Sequence, residues 1–247
     1  DSDRFARKCT GEVKQSAYDE SMQVPDLRDR VAIVTGSSRG IGRELADQYA
    51  ADGWEVIQTC RDPAGAGLPY AIKLDVTDPE DVGDLAMRLK GRPIDVLINN
   101  AGVIGQRDAA IGTIDYALWE EVFRVNTLAP IRVAEAVAEN VAASSGKRMV
   151  FISSVMGSIA SIGGGHYLYR STKAALNAAM VSLSLELASR GVICISMHPG
   201  WVRKDMGGPT AAVAVPDSAS GIGRVVWGLS STDNGRFYDY TGEEVPW

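Results

Sequence analysis

The sequence predicts an α/β fold in which helices cover both faces of one parallel sheet, within a single domain over residues 30–247. Two observations carry this. Short apolar and β-branched runs at 31–35, 55–60, 94–98, 149–152 and 192–196 alternate with helix-length amphipathic stretches, the pattern of a doubly wound sheet. The first of these runs also passes straight into a glycine-rich turn and then a helix, an arrangement that binds phosphates at a helix N-terminus.

Composition narrows the function classes. The chain has 247 residues, 45% of them hydrophobic, enough for one sizeable core. Its net charge is −6 and no basic tract stands out, so nucleic acid is not an expected partner. No apolar run reaches the roughly 18 residues a membrane helix needs. Cys9, Cys60 and Cys194 show no paired spacing, which fits free thiols in a reducing compartment and a cytoplasmic location. Two histidines, His166 and His198, are too few for a His-based metal site, and no metal is expected. Residues 1–29 are polar, mixed in charge and without a sustained period; they read as a poorly ordered arm outside the main domain, with Met22 as a candidate natural start.

Each element has a local reason. Residues 31–35 form a buried strand, and Gly36-Ser-Ser-Arg-Gly40-Ile-Gly42 follows. Gly36 permits the tight turn, Gly40 lets backbone approach a pyrophosphate, and Gly42 lets helix and strand pack closely. The spacing is GxxxGxG rather than the general GxGxxG. The following helix closes at Gly53. The second strand, 55–60, ends at Cys60-Arg61 with no carboxylate at its tip. Arg61, with Arg39 from the glycine turn, would accommodate the 2′-phosphate of NADP; plain solvation of both arginines is the alternative, and Asp62 is a counter-signal. The Gly- and Pro-rich link 61–70 leaves little room for a crossover helix. A strand at 71–74 ends at Asp75-Val76. A helix at 79–90 has Asp78 as N-cap and Pro79 in its first turn. The strand at 94–98 is tipped by Asn99-Asn100-Ala101-Gly102. A long helix over 115–141 starts at Asp115, carries Asn126, and is kinked or broken by Pro130.

The strand at 149–152 ends at Ser153-Ser154, and Tyr169 and Lys173 follow on an Ala- and Leu-rich helix that stops at Gly191. Residues i and i+4 share a helix face, so a phenol and an ammonium lie side by side. A neighbouring positive charge lowers a phenol's pKa from its usual value of about 10, tuning it for proton transfer near neutral pH. Taken alone, Tyr-x-x-x-Lys is weak, since a half-buried Tyr near a solvated Lys is common. A strand at 192–196 leads to His198-Pro-Gly-Trp-Val202, and the tail adds a short helix near 219–229 and a strand near 236–240. Ligands bind at the carboxyl ends of strands in such sheets, where every motif above falls.

Together, the 35–42 glycine turn, Asp75, Asn99-Asn-Ala-Gly102, Asn126, Ser154, Tyr169-x-x-x-Lys173 and Pro199-Gly200 resemble the short-chain dehydrogenase/reductase family over about residues 28–247. The Tyr169 helix and the tail look most like its small NADPH-dependent carbonyl reductases and developmental signalling proteins. The resemblance implies a Rossmann-type fold and a catalytic set. Tyr169 would protonate a carbonyl oxygen. Lys173 would lower the tyrosine pKa and hold the nicotinamide ribose. Ser154 would bond the substrate oxygen, and Asn126 would hold a water linking Lys173 to solvent. It implies that NADP(H) contacts Gly36, Ser38, Arg39, Gly40, Ile41 and Gly42 at the phosphates and Arg61 at the ribose. Asp75 and Val76 would meet the adenine, Asn100, Ala101 and Gly102 would line the adenosine side, and Pro199, Gly200 and Val202 would complete the site with Tyr169 and Lys173. The family commonly pairs subunits through the helices carrying Tyr169 and Asn126, so a homodimer or homotetramer is expected.

Three departures from the family pattern stand out. The Ser154-to-Tyr169 gap is longer than usual, with Gly163-Gly-Gly165 available to absorb the excess, which leaves Ser153 as a rival to Ser154. Tyr167 lies nearby but has Ser171, not Lys, four residues on. Lys204 stands where the family usually has a Thr bonded to the nicotinamide amide. Ile104, Met156, Ile159, Tyr167, Trp201 and Met206 suggest an apolar pocket wall. The expected function is reduction of a small or medium apolar ketone or aldehyde by NADPH, acting on a small-molecule carbonyl or alcohol. The alternative is a non-catalytic dinucleotide-binding signalling protein on the same fold.

Overall fold

Alternation along each strand decides what each face of the sheet buries. The computed structural model describes residues 30–107, 109–203 and 206–247; the arm expected at 1–29 and Lys204 lie outside the described residues. In β1 (Val31–Thr35), Val31 and Ile33 point to one core, and Ala32 and Val34 point to the other. Successive side chains in a strand face opposite ways, so an unbroken apolar run is the signature of a sheet covered on both sides.

Seven parallel strands take the order β3-β2-β1-β4-β5-β6-β7. They are β1, β2 (Glu55–Cys60), β3 (Ile72–Lys73), β4 (Val96–Asn99), β5 (Arg148–Ile152), β6 (Ile193–His198) and β7 (Phe237–Asp239). The order reverses between β1 and β4, which opens a crevice at their carboxyl ends. On one face α1 (Gly40–Ala51) packs Ile41, Leu45 and Tyr49 against the sheet. On the other, α2 (Pro79–Arg88) packs Val82 and Leu85. As expected, Asp78 caps α2, accepting from Glu80 N at 2.9 Å, and no helix joins β2 to β3.

The helix expected over 115–141 is broken more than Pro130 alone suggested. It is divided into α3 (Tyr116–Phe123), a π-helical turn (Arg124–Leu128), α4 (Ala129–Ala136) and α5 (Ala138–Ala142). Asp115 caps α3, accepting from Leu118 N at 2.9 Å. Pro130 has no N–H, so the carbonyl of Asn126, four residues earlier, loses its ordinary helical donor. The backbone adjusts just before the proline, where Ala129 N reaches back to Arg124 O.

Other boundaries shift for local reasons. β3 is shorter than 71–74 because Asp75 N turns away to the Asp81 carboxylate at 2.8 Å. The catalytic-motif helix, α6 (Tyr167–Leu187), starts two residues before Tyr169, after His166 with φ 52°; past its end, Gly191 takes φ 75°. The last helix, α7 (Val215–Gly228), begins earlier than 219 with Pro216 in its first turn.

Candidate active site

The glycine turn is built around an asparagine. Asn100 Nδ2 donates to Thr35 O at 2.9 Å and to Gly36 O at 3.1 Å. Thr35 Oγ1 accepts from Asn100 N at 3.0 Å and Ala101 N at 3.1 Å. A Cβ on Gly42 would collide with the Asn100 amide and lie 2.5 Å from Gly36 O. Gly42 therefore makes room for Asn100, which braces the turn rather than only lining it. Gly36 has φ +66°, and a Cβ there would sit 3.0 Å from Ala101 Cα. Gly40 takes φ 58°. No side chain caps α1 at Arg39, so its first N–H groups face the turn. Ile41 is buried beneath it, while Ser38 and Arg39 are exposed. This cradle fits a pyrophosphate: two left-handed glycines and an uncapped helix end.

Ser37, not singled out from the sequence, ties the turn to β2. Its N–H and hydroxyl both donate to Thr59 O, at 3.0 and 3.1 Å. That bond holds the stretch carrying Arg39 beside the strand end carrying Arg61. Arg61, Asp62 and Lys73 line an open depression of about 720 Å³, in which Lys73 is paired with Asp81 at 3.1 Å. Asp75 is half-buried, and its Oδ1 already accepts from Thr77 N and Thr77 Oγ1 at 2.9 and 2.7 Å. Val76 packs at the edge of the core beside it.

Ser154, Tyr169, Lys173 and Asn126 come together at the carboxyl ends of β4 and β5. Tyr169 is buried at 8% exposure, and the Ser154 hydroxyl beside it favours the phenolate. Lys173 Nζ donates to Ile152 O at 2.7 Å and lies 5.8 Å from the Tyr169 ring centre. Asn126 is fully buried: its Oδ1 accepts from Val103 N at 2.9 Å, and its Nδ2 donates to Val103 O at 2.8 Å and Thr172 Oγ1 at 3.1 Å. A Cβ on Gly102 would lie 3.2 Å from Asn126 Oδ1 and 3.7 Å from Lys173 Nζ, so the glycine lets the β4 tip close over these two side chains. The asparagine side chain is thus a clamp on the backbone. Proline leaves its carbonyl without a helical donor, and that oxygen is the group suited to a bound water.

The phenol's acidity runs against the expectation. Burial pushes Tyr169 up to about 12, and the hydrogen bond with Ser154 only partly opposes this. Lys173, whose ammonium donates to Ile152 O, does not contribute to the shift; desolvation of the phenolate dominates. Tyr169 is therefore a neutral acid at pH 7.

The two serines at the end of β5 face different neighbours. Ser153 Oγ donates to Asn177 Oδ1 at 2.6 Å in the core, whereas Ser154 turns to Tyr169. Ser154 Oγ also accepts from Met156 N at 3.2 Å, starting a 3₁₀ turn at Val155–Gly157. Tyr167 lies at the rim, 37% exposed. Pro199 O accepts from Ser218 Oγ at 2.6 Å, and Gly200 at φ +85° avoids the Tyr240 ring. Val202 bridges to Val213. Of the expected wall, Ile104, Met156 and Met206 are half-buried, and Ile159 and Trp201 are 62% and 56% exposed. Thr172 and Asn177 were missed in the sequence, although Thr172 lies inside the Tyr-x-x-x-Lys motif.

Among the described residues no helix is long and apolar enough to cross a membrane. C-signal of Myxococcus xanthus is 47% identical over 156 residues, covering 63% of this chain and 93% of that protein. Two solved structures align over nearly their whole length. Carbonyl reductase Sniffer of D. melanogaster has a TM-score of 0.82 at 29% identity, covering 89% of this chain and 100% of the other. The NADPH-bound carbonyl reductase from chicken fatty liver has a TM-score of 0.80 at 31% identity, covering 90% and 100%. The sequence profile of the short chain dehydrogenases matches residues 30–213, the span that holds the glycine turn and all four clustered residues, and this chain belongs to that family.

Proposed function

We propose that the protein reduces a small or medium apolar ketone or aldehyde with NADPH, Tyr169 serving as the general acid. The observation that carries this reading is the buried Ser154–Tyr169 pair beside Lys173, with the phenol held neutral by burial. NADPH, when bound, supplies the hydride. Tyr169 Oη gives its proton to the carbonyl oxygen as negative charge develops there. Ser154 Oγ, held by Met156 N beside Tyr169, orients that oxygen. Lys173, buried at 4% exposure, holds a positive charge where the ribose hydroxyls would lie. The glycine cradle and α1 take the pyrophosphate, and Arg39 with Arg61 favours the 2′-phosphate. The Sniffer and chicken carbonyl reductase structures, the latter with NADPH bound, support both the reaction and the cofactor. The buried free thiols of Cys60 and Cys194 suit a reducing cytoplasm.

The identity with C-signal favours a second reading, a dinucleotide-binding signalling protein without turnover. The complete catalytic set argues for turnover. NADPH oxidation across a panel of apolar ketones and aldehydes separates the two. Under the first reading Tyr169→Phe abolishes turnover and leaves NADPH affinity within about a few-fold, because the lost group acts on the substrate's proton. A wild-type protein that binds NADPH and turns over nothing on the panel favours the second.

A further inference from the structure

Trp247 is far in sequence from the catalytic serine, yet it holds the loop that follows it. Its main-chain oxygen accepts from Ala160 N at 2.7 Å and from Ser158 Oγ at 3.3 Å. Its ring stacks on the fully buried Phe237 of β7, with centroids 5.5 Å apart and planes at 27°. Val245 N donates to Phe237 O at 2.7 Å, and Arg236 pairs with Glu244 at 2.9 Å. The segment reaching Trp247 is therefore fixed to the sheet before it meets the loop.

The loop needs that anchor. Ser154 begins the 3₁₀ turn, Gly157 ends it, and Ser158 is buried directly after. On one side Gly157 presses on α6; a Cβ there would lie 2.7 Å from the Lys173 carbonyl carbon. On the other side, Ile159 and Ile162 are 62% and 57% exposed and give the loop little packing of its own. Beyond them the chain passes Gly163–Gly165, whose flexible backbone transmits little restraint from α6. The Trp247 contacts are thus the restraint on the far side of the turn that presents the Ser154 hydroxyl to Tyr169.

We infer that Trp247 is a positioning residue: its ring, stacked on Phe237, holds its main-chain oxygen against Ser158 and Ala160, and this sets the loop that orients Ser154. The kinetic consequence rests on the reductase reading; the restraint itself does not. Hydrogen exchange on the full chain reads the restraint directly. In Trp247→Ala the Ala160 amide is expected to exchange about tenfold faster or more, with β5 and β6 unchanged, as a local opening does; Trp247→Phe, which keeps a ring for Phe237, restores protection. In an active enzyme Trp247→Ala raises KM for the carbonyl substrate about three- to tenfold, leaves NADPH affinity within about twofold, and is rescued by Trp247→Phe. Unchanged exchange at Ala160 overturns the inference. So does faster exchange throughout the sheet with a lowered Tm and an unchanged KM, which marks a merely structural tryptophan. Wild-type protein inactive on every carbonyl sinks the reductase reading, and the exchange result then decides the restraint alone.

Discussion

At the scale of single residues, the proposed reaction turns on the protonation of Tyr169. Burial raises Tyr169 to about 12, so the acid form persists through neutral pH. In the proposed reaction, carbonyl reduction consumes that proton and is expected to hold steady from about pH 6 to 9 before falling in alkali, while alcohol oxidation, which needs the phenolate, climbs with pH. Steady-state profiles in both directions check this; an oxidation rate independent of pH would contradict it. His198 is shifted in the opposite direction and gives a stability prediction. Burial lowers it from 6.5 to about 4, and Asp239 only partly opposes the shift. The unfolded chain binds this proton first, so the neutral imidazole contributes stability above the unfolded pKa and loses it as pH falls from 6.5 toward 4. The loss is on the order of 1–3 kcal/mol, and His198→Gln should remove it. Urea unfolding at pH 7 and pH 4.5 tests this: an equal acid loss in the variant rules His198 out. At the cofactor end, a charge-assisted contact is worth about 1.5–3 kcal/mol. Arg61→Asp should therefore narrow the NADPH-over-NADH preference by about tenfold or more, and equal kcat/KM for the two cofactors in the wild type would refute the premise.

At the scale of elements, the sequence was most legible where one residue's chemistry forces the backbone. Asp78 and Asp115 announced the helices they cap, and Gly53 and Gly191 the helices they follow. Pro130 announced a break but not its form, because a proline marks a missing donor and not how the preceding turn adapts. The π-helical turn depends on Asn126 reaching Val103 and on Thr127 Oγ1 bonding Thr172 O at 2.8 Å, contacts between segments distant in sequence. Pro130→Ala tests what holds the turn. It supplies the missing N–H, so a regular helix can run through and rotate Asn126 by up to about 100°. With the three bonds of the buried Asn126 side chain disturbed, each worth about 0.5–1.5 kcal/mol, kcat should fall about tenfold or more. A kcat within about twofold of the wild type would show that the side-chain contacts hold the turn without the proline.

At the scale of the molecule, the sheet makes neighbours of residues that the sequence could only nominate. Tyr169 and Lys173 share a helix face and were legible as a pair. That Ser154 rather than Ser153 meets Tyr169 depends on which way each side chain leaves the end of β5, one toward the crevice and the other toward Asn177. The bracing of the glycine turn by Asn100 needs β1 and β4 side by side, and no local pattern carries that. The outer face of α6 makes the last prediction. Ala178, Ser182 and Leu185 stand at i, i+4 and i+7 along one exposed stripe, with Leu185 73% exposed. Leu128, 54% exposed, lies in the turn that Thr127 bonds to α6. Two small residues let a second helix come close, and two leucines gain from leaving water, each by roughly 1.5–3 kcal/mol if fully buried. A twofold axis through this face would place each stripe on its copy, and a stable interface needs about 1,200–2,000 Å² in total. The protein is therefore expected to be a homodimer, or a homotetramer built from such dimers. Ala178→Glu, which sets a carboxylate against its own image across the axis, should release monomers without lowering the Tm of the subunit. Light scattering at micromolar concentration decides it: a monomeric wild type, or an Ala178→Glu variant with unchanged mass, would place the interface elsewhere or nowhere.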